Sequence, residues 1–240
     1  FRSIRDGYHD VAISGGAEAS ITKLGLGGFN VMQALAKTDD PNQASMPFDK
    51  NRSGFVMGEG AATLILESYE HAKKRGAKIY GEIVGYGATC DAHHMTSPDP
   101  EGKGAYQCMK QALLDANLNL KTVDYINAHG TSTPLNDKIE TKAIKDLFLD
   151  HAPSISVSST KSMSGHLLGA SGALEAMICV LALRDGFVPP TINVQEQDPA
   201  CDLDVTANVG KAKSLRVALS NSLGFGGHNA TLAFMKEREI

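Results

Sequence analysis

Between residues 104 and 184 the hydrophobic period switches repeatedly between that of a helix and that of a strand, and this alternation sets the fold class. Within 104–117, Ala105, Cys108, Met109, Ala112, Leu113 and Ala116 recur at i, i+3, i+4, i+7, i+8 and i+11, one face of a helix. An apolar run at 123–129 reads as a strand, and 137–149 as a second amphipathic helix with Ala143, Ile144, Leu147 and Phe148 inward. Residues 155–158 form another strand, and 167–184 are apolar nearly all round, as in a buried helix. Elements that alternate in this way bury their apolar faces against one another, so the expectation is an α/β layered fold.

The same periods extend over the rest of the chain. Strands are expected at 10–14, 61–67, 80–88, 215–220 and 230–235, and helices at 23–36 and 69–75, the latter stopped by Gly76. The polar stretch 39–60 is expected to be an ordered loop, since structureless loops of that length are uncommon. A length of 240 residues accommodates one large domain or two small ones with ample core. The net charge of −4 argues against nucleic acid and against an anionic membrane surface as partners. No 18-residue apolar run is present, and Phe1 reads as lying inside an element rather than a signal peptide. Four cysteines without paired spacing point to a reducing compartment, hence a cytoplasmic location. Docking of an acidic partner would need a local basic patch, for which Lys73-Lys74-Arg75 is a candidate; such helix ends are more often simply solvated.

The chemistry concentrates in two segments, Asn127-Ala128-His129-Gly130-Thr131-Ser132-Thr133 and Lys161-Ser162-Met163-Ser164-Gly165-His166. Each places a histidine beside glycine and small hydroxyl residues, giving two N–H donors able to converge on one carbonyl whose oxygen gathers negative charge. His129 falls at the C-terminal end of its strand, the usual location of sites in open α/β sheets. Thr131 and Thr133 would point the same way in an extended segment. In Gly224-Phe225-Gly226-Gly227 the missing Cβ atoms let the backbone approach a ligand. Metal and nucleotide sites are disfavoured. His93 and His94 are adjacent, so in a strand they face opposite sides; no cysteine has zinc spacing, and Gly25-Leu26-Gly27-Gly28 lacks a P-loop lysine.

Together with Ser14-Gly-Gly-Ala-Glu18, Phe48-Asp-Lys-Asn-Arg52, Gly58-Glu-Gly60 and Pro189-Pro-Thr-Ile-Asn193, these segments resemble the β-ketoacyl-acyl-carrier-protein synthase family, the condensing enzymes of fatty-acid synthesis. The likeness runs through almost the whole chain and is nearest to the type II elongation synthases. It implies a thiolase-like fold, two similar halves packed as αβαβα layers, with residues 1–78 ending the first half and 79–240 forming a complete second half. The echo between Ile4-Arg5-Asp6-Gly7 and Leu183-Arg184-Asp185-Gly186 agrees with such a duplication.

The resemblance also implies the reaction, a decarboxylating Claisen condensation of an acyl thioester with malonyl-acyl-carrier protein. His129 and His166 would stabilise the enolate. Lys161 would be buried electrostatic support, and a buried ammonium needs partners; Glu175 leads, with Asp137 and Glu140 as further members of an acidic network. Thr131 and Thr133 would bond the phosphopantetheine arm, and Phe225 would gate the acyl pocket. His228, where many relatives carry threonine, is read as tolerated variation. A hard or monovalent cation on Asn127, Glu175, Ser220 and Asn221 is a further implication, oxygen ligands being suited to it. No cofactor is implied beyond the phosphopantetheine of acyl carrier protein, and the expected partners are that carrier and a second copy.

The family's nucleophile is a cysteine in an Ala-Cys-Ser/Thr setting, and none of Cys90, Cys108, Cys179 and Cys201 has that context. Phe1 to Gly7 reads as the tail of a helix ending at a glycine. The resemblance therefore places the nucleophile upstream of Phe1. The competing reading is a non-catalytic, chain-length-factor-like partner in a polyketide or fatty-acid condensing heterodimer. Retention of His129, Lys161 and His166 together favours the enzyme. A thiolase would need a second cysteine near the C-terminal glycine turn, which has none.

Overall fold

The apolar strands pair into two main sheets with a helix between them. The structure, a computed structural model, describes residues 1–237. In chain order the elements are α1 (Arg2–Arg5), β1 (Val11–Glu18), α2 (Lys23–Val31), β2 (Gly60–Glu67), α3 (Tyr69–Lys74), β3 (Glu82–Cys90), α4 (Lys103–Asp115) and β4 (Tyr125–Asn127). They continue with α5 (Pro134–Phe148), β5 (Ser156–Ser158), α6 (Lys161–Ser164), α7 (Ser171–Asp185), β6 (Phe187–Val188), β7 (Lys211–Ala212), β8 (Val217–Gly224) and β9 (His228–Met235).

β1 and β2 form an antiparallel pair, and five strands form a mixed sheet in the order β3-β9-β8-β4-β5. β3, β9 and β8 run antiparallel, whereas β8, β4 and β5 are parallel. α7 lies between the two sheets, and α4 and α5 cover the other face of the larger one. Sheet, helix, sheet and helix thus succeed one another as layers, because the apolar face of each element is buried against the next.

Strand alternation divides the core in two. Tyr125, Ala218 and Phe234 face α7 with Cys179 and Leu183, while their neighbours Ile126, Leu219 and Ala233 face Met109, Leu113 and Ile144 of the outer helices. The stripe expected on 104–117 is buried at Ala105, Cys108, Met109, Ala112 and Leu113. α4 sits directly on β3. A Cβ at Gly85 or Gly87 would stand 2.1 Å from the Ala112 carbonyl oxygen or 2.0 Å from that of Cys108, so only glycine permits this contact.

Several boundaries differ from the sequence reading, each for a tertiary reason. The helix expected over 23–36 stops at Val31, because Gln33 turns to φ 55 and Leu35 bridges to Phe55. Its apolar residues are not core, with Leu24 87% and Val31 83% exposed. The helix expected from 137 begins at Pro134, where the fixed φ and missing N–H suit a first turn. The run 123–129 is a strand only over Tyr125–Asn127, so His129 lies on the loop beyond it. The helix expected over 167–184 is a short 3-10 turn, Leu168–Ala170, followed by α7.

Candidate active site

Two loops meet above the parallel strands. After β4 the main chain of His129 and Gly130 donates to the two carboxylate oxygens of Glu140 on α5, each at 2.9 Å. Asn221 Nδ2 on β8 donates to the same carboxylate at 3.1 Å. Burial pushes the Glu140 carboxyl up, and these N–H donors oppose that push. Gly130, at φ 35, is held from behind by Ser159 Oγ, which donates to its carbonyl at 2.6 Å; a Cβ there would come within 2.5 Å of Ser159 Cβ.

His166 follows α6 and is fixed through its main chain, its N–H donating to Val56 O at 2.7 Å and its carbonyl accepting from Gly58 N–H at 2.9 Å. Its Nδ1 accepts the Leu168 N–H at 3.1 Å, which leaves the ring proton on Nε2. The two imidazoles meet edge to face, with centroids 5.3 Å apart at 84°, and Phe55 packs on His166 at 5.3 Å. Burial, reinforced by the Lys161 charge, lowers His129 well below the usual histidine range and brings His166 to about 3. Both rings are therefore neutral at physiological pH. Nδ1 of His129 is buried without a hydrogen-bond partner.

Lys161 is 2% exposed and forms its ion pair with Glu175 of α7. Burial raises Glu175 to about 7, against the pull of Lys161. The acidic network expected around Lys161 is not a single cluster. Asp137 instead faces Arg52, with Nε and Oδ2 3.5 Å apart, and accepts the Phe48 N–H at 2.9 Å. Glu140 is committed to the His129–Gly130 main chain. Arg52 is the residue that sequence reasoning passed over. Nothing local marks it, since Arg52 stands among Asp49, Lys50, Asn51 and Ser53 in a polar stretch, where an arginine is ordinarily solvated.

Thr131 and Thr133 bring their hydroxyls together, 2.8 Å apart, but not through an extended strand. Ser132 between them has φ 68, so the segment is a turn. Phe225 lies in the one-turn Phe225–Gly227 segment joining β8 to β9 and is 48% exposed. The turn is tied down where Gly226 N–H donates to Met95 O at 2.7 Å and Asp91 N–H donates to Gly227 O at 2.8 Å. His228 is exposed at the start of β9. The structure thus assembles His129, His166, Lys161 and Glu175 in one buried centre, with the Thr131–Thr133 turn one step along the chain.

None of the four cysteines has the environment of an activated thiol. Cys108, Cys179 and Cys201 are buried, and burial raises all three, Cys201 to about 11. Cys90 is exposed at the end of β3 and donates to Gly226 O at 3.5 Å. In the basic stretch at α3, Arg75 pairs with Glu67, and Lys73 reaches Glu237 at 3.5 Å and the Tyr69 ring at 5.4 Å.

Of the side chains considered for a cation, Asn127 shares its amide with Thr160 and Asn221 Oδ1 accepts from Thr231. Of these four side chains, Glu175 alone has a buried oxygen, Oε2, without a hydrogen-bond partner, so an ion there would need main-chain carbonyls to complete its shell. Among the described residues no group of three or more His, Cys, Asp and Glu is placed to hold a metal.

The sequence matches the beta-ketoacyl synthase N-terminal domain over residues 1–72 and the beta-ketoacyl synthase C-terminal domain over residues 80–195. It is 56% identical over 237 residues to 3-oxoacyl-[acyl-carrier-protein] synthase 2 of Synechocystis sp., covering 98% of this chain and 57% of that protein. The protein of the same name from Coxiella burnetii is 53% identical over 236 residues, with the same two coverages. Among solved structures, the chain superimposes with TM-score 0.97 and 40% identity on a chain of AntDE:AntF, a type II polyketide ketosynthase with its acyl-carrier protein, covering 99% of this chain and 59% of that one. A beta-ketoacyl synthase from Burkholderia phymatum gives TM-score 0.93 at 40% identity, covering 99% and 57%. The chain spans 57% of the length of the curated relatives it matches. With a thiolase-like layering and two imidazoles converging beside a buried lysine–glutamate pair, the chain belongs to the β-ketoacyl synthase family.

Proposed function

We propose that this chain is the decarboxylating and carrier-arm-binding part of a 3-oxoacyl-acyl-carrier-protein synthase that elongates fatty acids by condensing an acyl thioester with malonyl-acyl-carrier protein. The observation that carries the proposal is the perpendicular pair of neutral imidazoles, His129 buried and His166 half-buried, with the His166 proton held on Nε2. When the malonyl carboxylate leaves as carbon dioxide, the electron pair of the broken C–C bond moves onto the thioester oxygen. His129 and His166 donate to that oxygen, contributing about 3–4 kcal/mol each if they act like other preorganised oxyanion donors. The carbanion then attacks the acyl carbonyl, forming the new C–C bond and expelling the thiolate that held the acyl group.

Burial, and after it the Lys161 charge, favours neutral imidazoles at His129 and His166, which suits them to donate without becoming acids. The hydroxyls of Thr131 and Thr133 bind the phosphopantetheine arm, Phe225 gates the acyl pocket, and the thiolate is supplied outside these residues. The shared name of the curated relatives supports fatty-acid elongation, and the ketosynthase–carrier complex supports an acyl carrier protein as partner. The proposed assembly is a homodimer, as the family resemblance implies. Among the described residues no helix is long and apolar enough to cross a membrane, which accords with a cytoplasmic enzyme. The reaction draws on no cofactor beyond the carrier's own arm.

The test uses the full-length protein with its nucleophile replaced by glutamine. Malonyl-carrier decarboxylation should fall about 10²–10³-fold in His129→Ala and in His166→Ala. Variants as fast as that parent would end the donor-pair assignment.

A further inference from the structure

Three consecutive main-chain carbonyls next to the Thr131–Thr133 hydroxyls are each bonded from the segment 52–54. Ser132 O accepts the Gly54 N–H at 3.1 Å, Thr133 O accepts Arg52 Nε–H at 3.1 Å, and Pro134 O accepts Arg52 Nη2–H at 2.9 Å. Arg52 is 6% exposed, and the remaining arm of its guanidinium, Nη1, donates to Asp49 O and to Asp198 Oδ2, both at 2.7 Å. Asp49 anchors the whole loop, its carboxylate accepting N–H bonds from Asn51, Gln195 and Glu196 at 2.7, 2.7 and 2.8 Å. Ser132 is further held where its Oγ accepts the Met46 N–H at 3.0 Å.

This clamp closes on a strained residue. Ser132 sits at φ 68, a left-handed conformation that a side-chain-bearing residue keeps only when its surroundings over-determine it. That conformation is what brings Thr131 Oγ1 to 2.8 Å from Thr133 Oγ1. A planar fork can bond two adjacent carbonyls from fixed directions while facing Asp137; a lysine ammonium supplies the charge without the fork.

We infer that Arg52 is a positioning residue for the thioester arm: by bonding the Thr133 and Pro134 carbonyls it holds the Ser132 turn and so presents both threonine hydroxyls together. The inference rests on the proposed function and adds to it a residue that touches no substrate. Its consequence is selective. Loss of the fork weakens recognition of the arm and leaves the decarboxylation step intact, because the main chain of His129 is held by Glu140 rather than by Arg52.

The experiment compares two malonyl thioesters on the full-length enzyme, one on carrier phosphopantetheine and one a methyl thioester without the arm. Arg52→Lys should raise KM for the carrier substrate about tenfold with kcat within about twofold, and should leave both constants for the methyl thioester unchanged. Added to Thr131→Ala/Thr133→Ala, it should raise KM no further, since it acts through those hydroxyls. Equal losses on both thioesters, or an additive effect in the triple variant, would show a merely structural arginine and overturn the inference. If Arg52→Lys does not fold, Asp198→Ala decides the matter. It removes one of the two bonds of Nη1, which keeps Asp49 O, and leaves Nε and Nη2 on their carbonyls, so KM should move by less than about twofold; a rise near tenfold would mean that the ion pair, not the carbonyl clamp, governs the turn. Wild-type turnover of both thioesters is the control for the functional reading, which fails on its own if neither is decarboxylated.

Discussion

The five-stranded sheet and the two-stranded sheet are made of similar apolar strands, yet one hides both faces and the other only one. Ile126, Val157 and Leu219 are 0% exposed, whereas Ile13 and Ile65, partners across β1 and β2, are 76% and 58% exposed. The large sheet has α4 and α5 on one side and α7 on the other; the small sheet meets α7 from one side alone. The same contrast governs charge. Glu175, buried between the sheets, is raised to about 7, while Glu67 at the end of β2 is held at about 2 by hydrogen bonds from Arg75 and then His71. Exclusion of water creates the neutral imidazoles and the coupled Lys161–Glu175 pair of the first region. The second presents an apolar face of the kind that marks an interface, in a chain spanning 57% of its relatives' length.

The contrast is most severely tested at Glu175. Glu175→Ala leaves the Lys161 ammonium buried without its partner and should lower stability by about 3–5 kcal/mol, read from urea unfolding. A cost under about 1 kcal/mol would mean that water reaches the space between the sheets. Next in size is the pair Ile126→Ala and Ile65→Ala. The first should cost about 2–5 kcal/mol by opening a cavity; the second, on the open face, should stay within about 0.5 kcal/mol. Comparable costs would erase the distinction between the sheets.

Acid provides a smaller and signed test. His166 falls from 6.5 to about 3 on folding, so its contribution is complete above pH 6.5 and is lost as pH falls towards 3. The stability advantage of wild type over His166→Phe should therefore shrink by about 1.4 kcal/mol per pH unit across that window. Glu175, raised from 4.5 to about 7, has the opposite sign, its contribution being complete below pH 4.5 and lost as pH rises through 7. A gap between wild type and His166→Phe that does not change with pH would place His166 in water. The smallest change in stability is expected for Ile13→Lys, at about 0.5 kcal/mol or less. Sedimentation should nevertheless show weaker self-association, and an unchanged association constant would remove this face from the interface.

Much of the architecture was legible because its signals are local. The 3.6-residue stripe on α4 and the apolar run of β4 report which face each element buries, whatever lies opposite. The exposed α2 was misread for the complementary reason: Leu24 and Val31 have a core-like period, but among the described residues no element packs over them. In the site, the motifs supplied both histidines, Lys161 and its partner Glu175, but not the partners of the other two acids. Asp137 and Glu140 are three residues apart on one helix, and nothing in that spacing says that one meets Arg52 and the other the His129–Gly130 main chain.

By itself, the sequence determined the kinds of element, their buried faces and the residue types able to donate to an oxyanion. Only the tertiary structure decided that His129 and His166 meet at right angles, that Ser132 turns left-handed beneath the Arg52 fork, and that Asp137 answers Arg52 rather than Lys161. The reason is range: periodicity acts within a few residues, whereas a buried charge takes whichever partner the order of the sheet and the seat of α7 bring within hydrogen-bonding distance.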